Sequence, residues 1–223
     1  KETYRLQISA SASLPFIYFT ESNKPSPLTA PNFCMLLRKH IGSARILKVS
    51  QPGLERIIEF ELEHLDEMGD LCRKRLIVEL MGKHSNIIFC KEDGTILDSI
   101  KHVSAQVSSV REVLPGRTYF IPHTTEKEDP LTITEEAFHT LMKEASSPVQ
   151  KALYQKLTGI SPVIGTELCH LASIDADAWS GELSDLELTH LYHTLHLMME
   201  DVAEGHFSPN IIYHGEEPVE FAS

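Results

Sequence analysis

The spacing of apolar residues changes near Thr132, and no single element can carry both spacings. Upstream, Ile58, Phe60 and Leu62 alternate with Glu59, Glu61 and Glu63. A period of two predicts a strand with one buried face and one acidic, wet face. Residues 4–8, 16–19, 76–81, 87–90 and 95–97 are further strand candidates. Lys91-Glu92-Asp93-Gly94 supplies a glycine-containing hairpin turn before the last of them. One helix interrupts this region, with Phe33, Leu36, Leu37 and Ile41 on one face, Pro31 in the first turn and Gly42 at the exit.

Downstream the period is helical. Thr132 with Glu135 reads as a capping box for a helix running to about Glu144. Ser146-Ser147-Pro148 breaks it, and a second helix is expected over 149–157. A tight turn at Gly159-Ile160-Ser161 leads to a third helix from Pro162 to about Ala172. Ser184 and Glu187 cap a longer fourth helix, with Leu188, Leu191, Leu195, Met198 and Val202 as its apolar stripe and Gly205 at its end. Residues 210–213 and 219–221 read as strands around a His214-Gly215-Glu216 turn, candidates to rejoin the first sheet. The expected class is α+β, with a β-rich domain over 1–125, a helical domain over 126–205 and terminal strands over 206–223. At 42% apolar, the 223 residues can bury a sizeable core.

Charge divides at the same place. Residues 1–125 carry sixteen Lys and Arg against fourteen Asp and Glu, whereas 126–223 carry four against eighteen and have no Arg. The net charge of −12 therefore resides in the second half, which repels a phosphate backbone. A polyanionic partner is expected on residues 1–125. No apolar run approaches the ~20 residues that span a bilayer, and no signal peptide is visible. Cys34, Cys72, Cys90 and Cys169 form no C-x-x-C pair and sit among apolar residues. Free thiols in a reducing compartment are expected.

The motifs of common enzymes are missing: G-x-S-x-G, the P-loop, G-x-G-x-x-G and H-E-x-x-H. Met81-Gly82-Lys83-His84 has a Gly-Lys pair but reads as a turn between strands. The carboxylates at 59, 61 and 63 read as a solvated face rather than an acid/base pair, which needs differing environments. His190, His193 and His196 could share a helix flank with Glu187 or Glu200, but a wet helix face is the preferred reading over zinc. The chain is expected to be a binding module with no catalytic residues, metal or cofactor.

The turn at 157–165 resembles a helix-hairpin-helix, whose Gly-hydrophobic-Gly turn can hold a phosphate. Ser161 replaces the second glycine and Val163 the usual basic residue, so a packing role is preferred. Basic residues of the first half are better candidates for nucleic-acid contacts: Arg38 and Lys39 with His40 at a helix end, Arg56 after the Gln51-Pro52-Gly53 turn, and Lys83-His84 and Lys101-His102 at turns. Ordinary surface charge is the competing reading.

These residues lie in stretches that resemble the N-terminal domain of the NFACT family. The stretches are 31–40 (PNFCMLLRKH), 51–58 (QPGLERII), 79–88 (ELMGKHSNII), 100–103 (IKHV) and 111–116 (REVLPG), in order. The family includes bacterial RqcH, eukaryotic NEMF and streptococcal fibronectin/fibrinogen-binding proteins. The resemblance implies a β-sandwich-like fold similar to the N-terminal domain of Fpg/MutM DNA glycosylases. It also implies a helix-hairpin-helix at about 148–172. It implies a ribosome-associated quality-control factor that binds the obstructed large ribosomal subunit and recruits tRNA, alanine tRNA in bacteria, to add a C-terminal tail. The family's tRNA-linked Asp-Arg pair falls on Glu55 and Arg56, with the acid one methylene longer. The glycosylases' N-terminal proline nucleophile has no counterpart, so their chemistry is not implied. The family's coiled coil and C-terminal domain are not represented, and the chain is expected to be roughly the first half of a longer protein. A cytoplasmic location follows. The alternative is a fibronectin- or fibrinogen-binding adhesin at the cell surface, reached without a signal peptide.

Overall fold

Hairpin, helix and sheet follow in order in the first unit because each has its own apolar rhythm. The computed structural model describes residues 2–122 and 126–222, and the chain divides into two compact units, Lys1–Thr124 and Thr125–Ser223. The first opens with the antiparallel hairpin β1 (Leu6–Ala10) and β2 (Pro15–Phe19), followed by α1 (Asn32–Ile41). A five-stranded antiparallel meander follows: β3 (Arg45–Ser50), β4 (Ile57–Leu65), β5 (Leu71–Glu79), β6 (Asn86–Lys91) and β7 (Ile96–Ser99).

The meander has two unlike faces. On one, Phe60, Leu62, Val78, Ile87 and Phe89 pack under Ala10, Ile8 and Ile17 of the hairpin and Phe33, Leu36, Leu37 and Ile41 of α1. Fully burying each large side chain there contributes roughly 1.5–3 kcal/mol. The second layer is thus a hairpin plus a helix, rather than a full second sheet, among the described residues. Residues 20–31 carry three prolines and polar turn formers, which suit no strand. On the other face Ile57, Ile77, Ile88, Cys90 and Ile96 are covered by Val113, Val103, Tyr119 and Ile121. That cover is an irregular segment pinned by backbone bonds, Ile96 N–H to Arg117 O at 2.8 Å and Tyr119 N–H to Gly94 O at 2.9 Å.

Three strand expectations need correction. The exposed edge strand β3 was not expected, because its residues are nearly all exposed and show no alternation. β5 begins at Leu71, not residue 76, since the charged stretch 72–75 continues the ladder that pairs Leu65 with Leu71 and Ile57 with Glu79. The acidic face of β4 is not simply wet: Glu59 and Glu63 are mostly covered and meet Arg75 and Arg73 from the neighbouring strand.

The second unit contains α2 (Glu135–Glu144), α3 (Val149–Lys156), α4 (Pro162–Leu171) and α5 (Asp185–Glu204), then β8 (Asn210–His214) and β9 (Glu217–Ala222). The capping residue of α2 is Thr134, whose hydroxyl accepts from Ala137 N–H at 3.3 Å. Thr132 instead lies in the preceding turn, its N–H bonded to Asp129 O. The Ser184–Glu187 capping box of α5 is fully formed, and Gly205 ends the helix in the left-handed region at φ 76°. The buried stripe of α5 is Leu188, Leu191, Leu195 and Met199, so Met199 takes the core place expected of Met198. β8 and β9 pair with each other as a separate two-stranded sheet rather than extending the meander.

Candidate nucleic-acid interface

An antiparallel meander returns every second connection to the same end. The β3–β4 connection (51–56), the β5–β6 connection (80–85) and the residues after β7 (100–102) therefore gather at one end of the sheet. The 66–70 and 92–95 turns lie at the other. Arg56, Lys83, His84, Lys101 and His102 are thereby brought to a common rim, although they are far apart in sequence.

Arg56 is placed by its backbone. Gly53 takes a positive φ of 52°, Glu55 N–H bonds Pro52 O at 3.0 Å, and Gln51 Nε2 donates to Glu55 O at 2.8 Å. Arg56 O then accepts Leu80 N–H at 2.8 Å, tying its turn to the next connection. The Arg56 side chain is exposed and makes no ion pair among the described residues. An ion pair to Glu59 three residues on would make Arg56 structural, but Glu59 is bound by Arg75, with Nε–Oε1 at 2.5 Å and Nη2–Oε2 at 2.8 Å. The intradomain Arg56–Glu59 bridge is therefore not formed. Glu55 is half-buried beside Arg56.

Lys83 and His84 occupy a single 3₁₀ turn, Gly82–His84, and both are exposed. The turn is locked by buried Ser85, whose hydroxyl accepts Met81 N–H at 2.8 Å. Lys101 follows β7 and is held by Asn86. His102 meets Asp98, Nε2 to Oδ1 at 2.6 Å. Arg56, Lys83 and Lys101 on backbone held by short turns suit a phosphate backbone, because each ammonium or guanidinium meets an anion without reorganising the fold.

Beneath the rim lies a polar network that sequence reading did not single out as a site. Glu79 is 0% exposed, and its carboxylate accepts from Arg111 Nη2 at 2.5 Å and Tyr119 OH at 2.9 Å. Arg111 Nη1 also donates to Phe120 O at 2.7 Å, and its guanidinium lies 5.5 Å from the Tyr119 ring centre. Burial works against the Arg111 charge, but the Glu79 bond and charge outweigh it and leave the guanidinium pKa raised. Burial and then Glu79 push the Tyr119 phenol upward. Parity was the legible signal: Glu79 shares the apolar face of Ile77, so a charge there needs a buried partner.

Arg38 and Lys39 do not join this rim. Lys39 Nζ lies 2.9 Å from Glu67 Oε1 in the 66–70 turn. β4 separates that turn from Arg56, and nine residues at ~3.3 Å each make a span of about 30 Å. The Lys39 bond and charge hold the Glu67 carboxyl below the usual carboxylate range.

The second unit offers less to an anion. Its concave surface along α2 is lined by Glu128, Glu136 and Glu144. In the α3–α4 pair, Gly159 takes a φ of 77°, and the start of α4 is capped from within by Ser161 Oγ, which accepts Ile164 N–H at 3.2 Å. A Cβ on Gly165 would stand 2.8 Å from Gln150 O, so the two helices approach at backbone contact. His196 pairs with Glu200 at 3.3 Å and stacks on Tyr192. No three His, Cys, Asp or Glu residues gather at metal-holding geometry among the described residues.

Arg56, Lys83 and Lys101, with His84 and His102, make this end of the first unit's sheet a candidate anion-facing surface. The chain belongs to the NFACT family: the profile for NFACT N-terminal and middle domains matches residues 1–223. It is 33% identical over 208 residues to the Rqc2 homolog RqcH of Bacillus subtilis, covering 93% of this chain and 35% of that one. Identity to the ribosome quality control complex subunit NEMF of Mus musculus is 26% over 148 residues, covering 66% and 13%. Among solved structures, the N-terminal part of the fibronectin/fibrinogen-binding protein from Streptococcus suis superposes with a TM-score of 0.71. Identity there is 32%, covering 87% of this chain and 68% of that one. The chain thus spans about a third of the length of its bacterial curated relative. No helix among the described residues is long and apolar enough to cross a membrane.

Proposed function

We propose that this chain is the tRNA-recruiting part of a ribosome quality-control factor. It acts by binding, with no catalysis or cofactor of its own, on a large ribosomal subunit that holds an obstructed nascent chain. Family membership and the names of the RqcH and NEMF relatives support the setting. The observation that carries the residue assignment is Arg56: exposed, fixed by its backbone on both sides, and without an ion pair among the described residues. An arginine fork held this way suits a phosphate or a base edge, and Glu55 beside it can orient the guanidinium or accept from a base amine. Lys83, His84, Lys101 and His102 extend the contact along the strand. Alanine tRNA is the expected cargo in a bacterium, a C-terminal tail the product and the cytoplasm the place. In this reading the meander corresponds to the Fpg/MutM-like domain, and α3–α4 is a helix-hairpin-helix used for packing.

The test is Arg56→Ala in the 223-residue chain, titrated with tRNA. Binding should weaken at least tenfold, with the melting temperature unchanged, since an exposed arginine contributes under ~1 kcal/mol to stability. Unchanged tRNA affinity in the folded variant would sink the assignment. A second reading, adhesion to fibronectin or fibrinogen, is favoured by the name of the Streptococcus suis neighbour. Salt separates the two. Binding through about six phosphates falls roughly a thousandfold between 50 and 200 mM salt, whereas an apolar contact does not.

A further inference from the structure

Lys101 is held in an unusual way for a residue that has just left a strand. β7 ends at Ser99, and Ile100 N–H still reaches Ile87 O at 2.9 Å. Both backbone polar groups of Lys101 then bond to buried side chains. Its N–H donates to Asn86 Oδ1 at 3.1 Å, and its carbonyl accepts from Asn86 Nδ2 at 2.9 Å and from Ser99 Oγ at 2.8 Å. Asn86 is 2% exposed and Ser99 4%. Asn86 Oδ1 also accepts Ile87 N–H at 2.9 Å, which fixes the amide itself. The Lys101 ammonium makes no ion pair among the described residues.

We propose that Asn86 is a positioning residue of the nucleic-acid interface. Its amide pins the Lys101 backbone, with Ser99 as second support, so that the ammonium meets a phosphate on the same rim as Arg56 and Lys83. The inference rests on the nucleic-acid reading above and adds to it a buried residue that never touches the ligand. Only a carboxamide fits the task, because it offers a donor and an acceptor in one plane to a neighbouring backbone. An aspartate would set an acceptor oxygen against the Lys101 carbonyl and leave Ser99 Oγ as its remaining side-chain donor. A lysine stem is flexible, and anchoring its backbone lowers the ordering cost of each bond it makes to a ligand.

The experiment titrates the 223-residue chain with tRNA at several salt concentrations. Arg56→Ala, Lys101→Met, Asn86→Ala and the pair Asn86→Ala/Lys101→Met are compared, with thermal melts to confirm folding. Lys101→Met should weaken binding several-fold. It should also reduce the slope of log affinity against log salt by about 0.7–0.9, the change expected when one phosphate fewer is neutralised. Asn86→Ala should reproduce both effects, and the pair should lose little beyond Lys101→Met alone. A purely structural role for Asn86 would lower the melting temperature without this shared slope change. Wild-type affinity and slope in folded Asn86→Ala, or full additivity in the pair, overturns the positioning role. If Arg56→Ala weakens binding but Lys101→Met does not, the inference fails while the nucleic-acid reading stands. If neither weakens it, the reading itself has failed. Should Asn86→Ala not fold, Ser99→Ala removes one bond to the same carbonyl and is judged by the same criteria.

Discussion

Arg111 and His40 show how differently two partly hidden basic residues are treated. Arg111 has a carboxylate from the end of β5 and a carbonyl and an aromatic face from residues 119–120 around it. Replacing it with methionine leaves the wholly buried Glu79 without its cation. That should cost about 3–5 kcal/mol, read from urea unfolding, and the double variant with Glu79→Gln should recover part of it. His40 is handled the opposite way. Burial, then the charges of His64, Lys74 and Lys39, hold its pKa below the ordinary imidazole value, with Glu67 pulling weakly upward. The fold therefore favours neutral His40. Its contribution is complete above about pH 6.5 and is lost as the pH falls from there toward the lower folded value. Melting temperature should drop through that window, and His40→Gln should flatten the drop. Single residues were the least legible scale. Arg56 and Glu55 could be marked from the resemblance, but no local pattern distinguishes Asn86 or Ser99 from any other strand-end polar residue. Their roles arise only when β6 and β7 are side by side.

At the scale of elements, most strands and helices were legible because they keep a clear period or a capping signal. Ser184 and Glu187 mark the start of α5 as read, while the Thr132 signal was displaced to Thr134 because two threonines compete for one cap. β3 escaped because an edge strand with both faces exposed carries no alternation. The α3–α4 pair offers a sharp test of packing. In an open helix Gly165→Ala would gain about 1 kcal/mol of helix propensity. Here the added methyl meets Gln150 O at 2.8 Å, a backbone atom that cannot swing away. Overpacking should win, destabilising the chain by about 1–3 kcal/mol in thermal or urea melts. A neutral or stabilising result would mean that α3 can withdraw without loss.

For the whole molecule, charge segregation sets what each unit can bind. The basic rim belongs to the first unit, and the second carries eighteen acidic residues against four lysines over 126–223. tRNA affinity should therefore survive neutralisation of Glu128, Glu136 and Glu144 to glutamine, or rise slightly as repulsion is relieved. Filter-binding at fixed salt measures this, and a loss would show that the acidic groove takes part. The charge division was plain in the sequence, but the gathering of three connections at one rim was not. It depends on strand order, which periodicity does not encode. That order has a consequence for how such a chain can drift. The pairing of Ile57 with Glu79 and of Leu65 with Leu71 fixes a frame in which every second side chain is committed to one face. One residue gained or lost inside β5 would turn Glu79 toward the Phe60–Phe89 core and strand Arg111 without a carboxylate. The 66–70 turn, by contrast, sits beyond the frame at the far end, with Gly69 at a φ of 87° and open space where a side chain on it would stand. Length variation among descendants of this chain should therefore collect at that turn rather than at 92–95, where Gly94 O holds Tyr119 N–H, leaving the strands and the rim connections constant in count.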